Sequence, residues 1–175
     1  MSASGNDHAV FDVYDRFRTS RLNIKYQEAM LRPLVRWNTV LEIALGISAC
    51  SGFTALWFFQ CDVGKRIIEV LSASTAIIAV ARTVLKLELK IRNRQEMLDG
   101  YRILHHDLGK IVILIHQKQA YDADLRQQFI SAVDRERDLV KKSKDFYPNR
   151  RLLLQLYEEV NQELPAETFY VPKEH

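Results

Sequence analysis

The sequence lacks the signatures by which enzymes are usually recognised. It contains six glycines among 175 residues, and they do not form a glycine-rich loop of the kind that holds phosphate groups. The serines of the apolar segments have no histidine at the spacing of a known catalytic motif; they are Ser48, Ser51, Ser72 and Ser74. We therefore expect that the protein is not an enzyme and that it carries no cofactor.

Cysteine is scarce, and histidine forms one short cluster. The two cysteines, Cys50 and Cys61, cannot build a disulfide framework. We expect free thiols, or a bridge between Cys61 residues of neighbouring chains if the turn faces an oxidising space. Adjacent helical residues point about 100° apart, so His105 and His106 do not easily share one ion. His116 returns to the face of His105, but no third ligand accompanies it, and we predict no metal site.

Charge of one sign is not in large excess either. The formal net charge is +3 at pH 7, which gives no reason to expect direct nucleic-acid binding. Mean hydropathy is −0.18, low for a membrane protein, but this average hides a central apolar segment between strongly charged arms. Residues 1–5 are small and polar, so we expect no signal peptide and assign insertion to the first apolar run itself.

Two long apolar runs occupy the middle of the chain. Residues 40–59 contain one charge, Glu42, and residues 67–81 contain one charge, Glu69. A helix needs about 20 mostly apolar residues to cross the hydrocarbon core of a membrane. The turn 60–66 is too short for a domain, so the pattern predicts an antiparallel hairpin of two spans.

The predicted hairpin segment is 37–89, with spans at about 38–59 and 67–85. The alternative is a soluble bundle in which each run is a buried helix. Helices of soluble bundles usually carry a polar face, whereas the stretch 43–59 contains no charged residue. The sequence therefore favours membrane insertion.

Positive residues predict that both termini lie on the cytoplasmic side. Eleven Lys or Arg residues flank the two runs on their terminal sides, whereas the turn carries two, Lys65 and Arg66. Trp37 and Trp57 lie about 30 Å apart on a helix, which suits aromatic residues at the two membrane surfaces. The predicted membrane-interface residues are Arg36, Trp37, Trp57, Arg82 and Lys86.

Small residues recur every four positions on both runs. They are Ala44, Ser48 and Gly52 on the first run, and Thr75, Ala79 and Thr83 on the second. Such stripes let helix backbones approach closely in lipid. They either pack the hairpin or place hydroxyl groups along a wetted path between subunits. Glu42 and Glu69 lie near span ends, where they serve function or reach lipid headgroups. The pore-lining or packing candidates are Glu42, Ser48, Ser51, Gly52, Glu69, Ser72, Thr75 and Ala79.

Residues 1–36 are predicted to form an amphipathic cytosolic helix. Its apolar stripe has helical spacing and consists of Val10, Tyr14, Phe17, Ile24 and Leu31. Asn6 or Asp7 suits its N-cap, and Pro33 is expected to break or kink it just before the membrane. The stripe packs on the protein's own cytosolic helices or lies on the inner leaflet, and we favour packing.

Residues 90–164 are predicted to form further cytosolic helices. The first is expected to continue from the second span, with a seam of Met97, Tyr101, Leu104, Leu108, Ile111 and Ile115. The second is expected to be capped by Asp122, with an apolar face of Leu125, Phe129, Ala132, Val133, Val140 and Tyr147. The third is expected to be capped by Asn149, with an apolar face of Leu152, Leu153, Leu156, Val160 and Leu164.

Three further expectations concern burial and fold class. The run 111–115 is apolar all round and is expected to be buried, whereas the acidic stretches 134–138 and 158–159 are expected to be solvated. Residues 165–175 lack periodicity and are expected to be a loose tail or a docking peptide. With no strand pattern present, the predicted class is an all-α membrane protein whose amphipathic cytosolic helices pack as an oligomerising bundle.

The layout resembles the SLATT domains, two-span effectors of bacterial conflict systems. The resemblance covers residues 14–119 and is carried by Arg32-Pro33, Arg36-Trp37, the short turn, and the charged segment 85–94 that leads to Tyr101-Arg102. It implies a bacterial inner-membrane protein that forms pores and kills or arrests an infected cell. It also implies an upstream sensor encoded beside it, a nucleotidyltransferase or a reverse transcriptase.

The sequence therefore supports two hypotheses for the function. The first is an oligomeric effector that permeabilises the inner membrane in an anti-phage or conflict system and is gated through its cytosolic helices. Its expected partners are membrane lipid, further copies of the chain and the sensor. The second is a membrane-anchored scaffold, whose hairpin is only a tether and whose cytosolic helices recruit a partner.

Overall fold

The computed structural model describes residues 9–58, 86–142 and 149–171, and for 48–58 it describes the backbone alone. The regular elements of this part of the chain are helical: α1 (Ala9–Phe58), α2 (Leu87–Lys118), α3 (Ala123–Lys142) and α4 (Arg150–Glu163), followed by a 3₁₀ turn at Ala166–Thr168. The all-α class is therefore confirmed. The caps expected at Asn6 or Asp7 and the apolar residue Tyr147 lie outside the described residues.

The described residues form two compact units. The first unit contains 9–29, 95–142 and 149–171, and the second contains 30–58 and 86–94. The predicted seam of α2 is the core of the first unit, because its members are buried from Met97 to Ile115. Residues of the other three helices complete this core; they are Val10, Val13, Tyr14 and Ile24, then Leu125, Ala132 and Leu139, then Leu156 and Val160.

Helix α1 runs through Pro33 without ending. Of the two outcomes predicted at this residue, the break is wrong and the kink stays a prediction. Proline lacks the N–H that would bond to the carbonyl four residues earlier, which here belongs to Ala29. The φ angle that its ring imposes is itself compatible with a helix. The loss is therefore one backbone hydrogen bond, and it falls where the first unit ends. The predicted boundary at residue 36 is not a helix end.

Two caps were predicted correctly from residue type and position. Leu125 donates its backbone N–H to Asp122 Oδ1 at 2.9 Å, and Leu152 donates to Asn149 Oδ1 at 3.3 Å. The expected continuation of α2 from the second span differs, since Lys86 has φ of 46°. This left-handed conformation is incompatible with a regular helix, and α2 begins at Leu87.

Two residues that were expected to be buried are exposed, because they point away from the buried face of their helix. In α3, Val140 is 55% exposed, whereas its neighbour Leu139 is 7% exposed and completes a face spaced by seven residues with Leu125 and Ala132. In α2, Ile113 is also exposed, although the run around it is apolar. Ile111 and Ile115 share the buried face, and a residue midway between them points away from it.

The tail is docked as far as the structure describes it, to Val171. The Phe169 ring stacks on Tyr14 with centroids 4.3 Å apart, and the Tyr14 hydroxyl donates to the Tyr170 carbonyl at 2.5 Å. Two predictions were made for this segment, a loose tail and a docking peptide. Residues 165–171 agree with the docking peptide and not with the loose tail.

Candidate functional site

The second unit carries an exposed apolar segment on α1. Trp37 is 64% exposed and Ile47 is 62% exposed, and Val40 and Ile43 are more than half exposed. Val40, Ile43 and Ile47 are spaced by three and four residues, so they share one helix face. This segment, residues 37–47, is therefore a helix with an uncovered apolar face at the start of the first apolar run.

One acidic residue lies within this segment. Glu42 is exposed, and its Oε1 accepts a hydrogen bond of 2.8 Å from Asn38 Nδ2, one helical turn earlier. Thr39 turns its hydroxyl inward and donates to the Val35 carbonyl at 3.0 Å. Asn38 and Thr39 therefore form local hydrogen bonds, while the side-chain oxygen of Asn38 is buried without a hydrogen-bond partner in the described structure.

Most of the other predicted site residues lie outside the part of the chain whose side chains the structure describes. Ser48, Ser51, Gly52 and Trp57 lie on the backbone of α1, and their side chains are outside the described part. Glu69, Ser72, Thr75, Ala79 and Arg82, with the whole of the second predicted span and the turn 60–66, lie outside the described residues. Arg36 is exposed beside Trp37, and Lys86 precedes α2.

Within the described residues, no helix combines the length and the apolar character that a membrane crossing requires.

A row of basic residues on α1 contacts acidic and amide groups of α3 and α4 in the first unit. Arg16 pairs with Glu136 of α3, and Arg18 donates to Asn161 of α4. Lys25 Nζ lies 3.0 Å from Glu159 and 2.6 Å from Glu163, and Arg21 Nε lies 3.2 Å from Glu163. These contacts confirm that the N-terminal helix packs on the protein's own helices. Glu136, with its side chain 18% exposed, departs from the expectation that the stretch 134–138 is solvated, whereas Glu159 is 57% exposed as expected and also pairs with Lys25.

The pairing of Lys25 and Glu163 shifts the protonation equilibria of both groups. The hydrogen bond to Glu163 raises the pKa of Lys25, and the same bond lowers the pKa of Glu163. Each shift favours the charged form, so the pair stays ionised at neutral pH.

His105 of α2 is held between polar and aromatic groups of α1. Its ring stacks on Phe17 with centroids 4.3 Å apart, and its Nδ1 lies 2.9 Å from Ser20 Oγ. Because the Ser20 hydroxyl donates to the Phe17 carbonyl at 2.7 Å, Nδ1 carries the proton and donates to Ser20. Burial lowers the pKa of His105, and nearby Arg21 and His106 act in the same direction.

The histidine cluster does not assemble a metal site among the described residues. His105 faces α1, whereas His106 is exposed. His116 instead contacts the tail, with its ring 5.6 Å from that of Tyr170. The neighbouring histidines His105 and His106 therefore point in different directions, as helical geometry predicts.

A shallow cavity of about 230 Å³ lies between α2 and α3. Its two cations, Lys110 and Arg135, both pair with Asp107 in the same lining. One carboxylate offsets one of these two positive charges, so the lining keeps a net charge of +1, although each cation already has a partner in Asp107.

Three polar residues that position α1 were not predicted from the sequence. Ser20 and Gln27 are buried, and Tyr26 accepts the backbone N–H of Asn149 at 2.9 Å. A signal was available, because residues 10, 13, 17, 20, 24 and 27 alternate by three and four along the chain. A polar residue at such a buried position is expected to form a hydrogen bond, just as an apolar residue there is expected to pack against its neighbours.

Comparison of the chain with known protein families, with curated proteins and with solved structures finds no match.

Proposed function

We propose that this chain is a membrane effector that inserts its two apolar runs as a hairpin, oligomerises, and permeabilises the bacterial inner membrane. The observation that carries the proposal is the uncovered apolar face of residues 37–47, at the start of a run of twenty residues with one charge. The resemblance to the SLATT layout supplies the anti-phage or conflict setting and the upstream sensor.

The uncovered apolar face of residues 37–47 is more stable in lipid than in water. Full burial of a valine or isoleucine side chain contributes roughly 1.5–3 kcal/mol relative to water. Val40, Ile43 and Ile47 forgo most of that in the isolated chain, whereas the first unit buries its seam. Lipid covers such a face without a specific protein partner. The basic residues Arg32 and Arg36 precede the face along the chain, and positive residues in this position favour a cytoplasmic location of the N-terminal segment.

Oligomerisation follows from the size of the hairpin. Two helices cannot enclose an aqueous path, so a pore requires several copies. Small residues allow close helix contacts, and hydroxyl groups can face a wetted seam. In this proposal Ser48, Ser51, Ser72 and Thr75 line the seam, Gly52 and Ala79 pack it, and Glu42 and Glu69 lie near its two ends.

The first test is alkaline carbonate extraction of membranes from cells that make the protein. An integral hairpin remains in the pellet. Release into the supernatant would exclude both the effector and the anchored scaffold, and would assign the apolar runs to the core of a helical bundle.

The second test compares two doubly substituted chains in liposomes loaded with a fluorescent dye. Ser72→Leu with Thr75→Leu removes the hydroxyl groups of the proposed seam and is expected to abolish dye release while membrane insertion is retained. The matched control is Val70→Leu with Ile77→Leu, which adds the same leucines to the opposite helix face. Equal dye release from the two chains would contradict the seam.

The scaffold is retained as the second candidate because the first unit exposes apolar side chains of its own. Leu154 and Tyr157 lie one turn apart on α4 and are both more than half exposed, as a partner-binding surface requires. A scaffold tolerates replacement of residues 41–85 by an unrelated two-span anchor. An effector loses its activity in that replacement.

A further inference from the structure

Residues 149–171 lie along α1 as one continuous segment, which we call the strap. At one end, the Asn149 backbone N–H donates to the Tyr26 hydroxyl at 2.9 Å. At the other end, Phe169 stacks on Tyr14, and the Tyr14 hydroxyl donates to the Tyr170 carbonyl. Contacts advance along the strap as they retreat along α1, so the two run antiparallel.

The strap and α1 have complementary charges. Between the two ends, Glu159 and Glu163 of the strap face Lys25 and Arg21 of α1. Most of these groups remain in contact with water, since the side chains of Glu159 and Glu163 are 57% and 42% exposed. Ion pairs at this exposure select a partner and its orientation more than they add affinity.

The apolar attachment of the strap is small. In α4 the buried residues are Leu156 and Val160. The seam of α2, in contrast, is buried over its whole length from Met97 to Ile115. Elements with few buried apolar contacts open more readily than the core they rest on. Helix α4 buries two residues and α3 buries three, so both attachments are small beside the core of α2.

One contact in the strap is incompletely satisfied. Arg18 donates to the side-chain oxygen of Asn161, a neutral amide, while its Nε is buried without a hydrogen-bond partner in the described structure. A carboxylate at this position would accept two parallel hydrogen bonds from the guanidinium group and would carry the complementary charge. The face of α1 therefore prefers a more acidic helix than the one that occupies it.

We propose that the strap is a releasable internal occupant of a docking surface on α1, and that an acidic amphipathic helix of a partner protein displaces it. The docking surface consists of Tyr14, Arg18, Arg21, Lys25 and Tyr26. An incoming helix with carboxylates in place of Glu159, Asn161 and Glu163 makes the charged contacts of α4 and satisfies Arg18 as well. This inference goes beyond the proposed function, because docking is measurable without any membrane flux.

The test uses the full chain in detergent and fluorescent synthetic peptides that span residues 149–171. The native peptide is expected to bind saturably, and the Asn161→Asp peptide is expected to bind about tenfold more tightly, the factor that corresponds to one additional charge-assisted hydrogen bond. The Glu159→Lys peptide is expected to lose at least about tenfold in affinity for the native chain. Equal affinity of all three peptides would overturn the charge-selective docking surface.

A charge-exchange control shows whether the surface survives substitution. The Lys25→Glu chain is expected to bind the native peptide more weakly and to regain binding with the Glu159→Lys peptide, since the pair is restored with its signs exchanged. A folded Lys25→Glu chain that binds the two peptides equally would overturn the assignment of Lys25 to the docking surface.

Displacement is measured by hydrogen exchange in the full chain. Addition of the Asn161→Asp peptide is expected to accelerate amide exchange in residues 150–163 and to leave the α2 core at 104–115 unchanged. No binding by any peptide, together with exchange in α4 as slow as in α2, would make the strap a permanent part of the core. Dimers that form without peptide and dissociate in the Lys25→Glu chain would replace the partner protein with a second copy of this chain.

Discussion

At the scale of single residues, His105 links pH to the stability of the first unit. Burial lowers its pKa below the ordinary value of 6.5, so the unfolded chain binds a proton more readily than the folded one. The contribution of this group to stability is therefore complete above 6.5 and is lost as the pH falls through the folded-state pKa. We expect the free energy of unfolding of the full chain to decrease on mild acidification.

The substitution that isolates this effect is His105→Gln, which keeps a polar side chain near Ser20 but cannot titrate. Its free energy of unfolding, measured by chemical denaturation across the same pH range, is expected to fall less steeply than that of the native chain. His106→Gln is the matched control, because this neighbour is exposed. A His105→Gln chain with the native pH dependence would refute the role of His105.

The role of a residue was predictable where it depends on spacing along one helix, and not where it depends on a partner far away in the sequence. The seam of α2 and the caps Asp122 and Asn149 follow from the order of residues along one helix, and they were predicted correctly. The pairing of Lys25 with Glu159 and Glu163 joins residues 134 and 138 positions apart. A single sequence gives no register for such a contact, so neither pairing was predicted.

At the scale of elements, Gly100 sets how closely α3 packs on α2. A Cβ atom at this position would collide with the side chain of Leu139, which is buried. Overpacking typically costs about 1–3 kcal/mol, and the gain in helix propensity on replacing glycine by alanine offsets about 1 kcal/mol. We expect Gly100→Ala to lower the free energy of unfolding by about 1 kcal/mol, measured by denaturant titration.

Gly109 on the same helix is the matched control. A Cβ there would lie 3.4 Å from Phe17 Cε2, an ordinary contact, so Gly109→Ala is expected to keep or raise stability. The second change Leu139→Ala makes room for the new Cβ, so in that background Gly100→Ala is expected to raise the free energy of unfolding by about 1 kcal/mol, the gain in helix propensity. A Gly100→Ala chain as stable as Gly109→Ala would show that Leu139 adapts without cost.

The outcomes at Pro33 and in the segment 165–171 have separate physical reasons. Pro33 was expected to break or kink α1, but α1 continues because one missing hydrogen bond is a small part of a helix of 50 residues. The segment 165–171 has no periodic pattern because it docks through Tyr14 at individual contacts and not through a helix face. Local propensity therefore located the helices well and their continuity poorly.

At the scale of the whole molecule, the described chain combines two kinds of surface. The first unit buries its seam and pairs the basic residues of α1, whereas the second leaves the apolar face of residues 37–47 uncovered. Helix α1 contributes to both units. The division of the chain into a charged part and an apolar part was predictable from composition, and the partners of the charged part were not.

The two native cysteines offer a direct test of the proposed hairpin and its orientation. Cys61 lies in the predicted turn on the outer side, and Cys50 lies in the middle of the first predicted span. With both termini cytoplasmic, a membrane-impermeant maleimide added to intact spheroplasts is expected to label the Cys50→Ser chain at Cys61. The Cys61→Ser chain, which retains Cys50, is expected to be labelled only after denaturation. Labelling of Cys61 only after the membrane is opened would place the turn in the cytoplasm, and rapid labelling of Cys50 in intact cells would remove it from the bilayer.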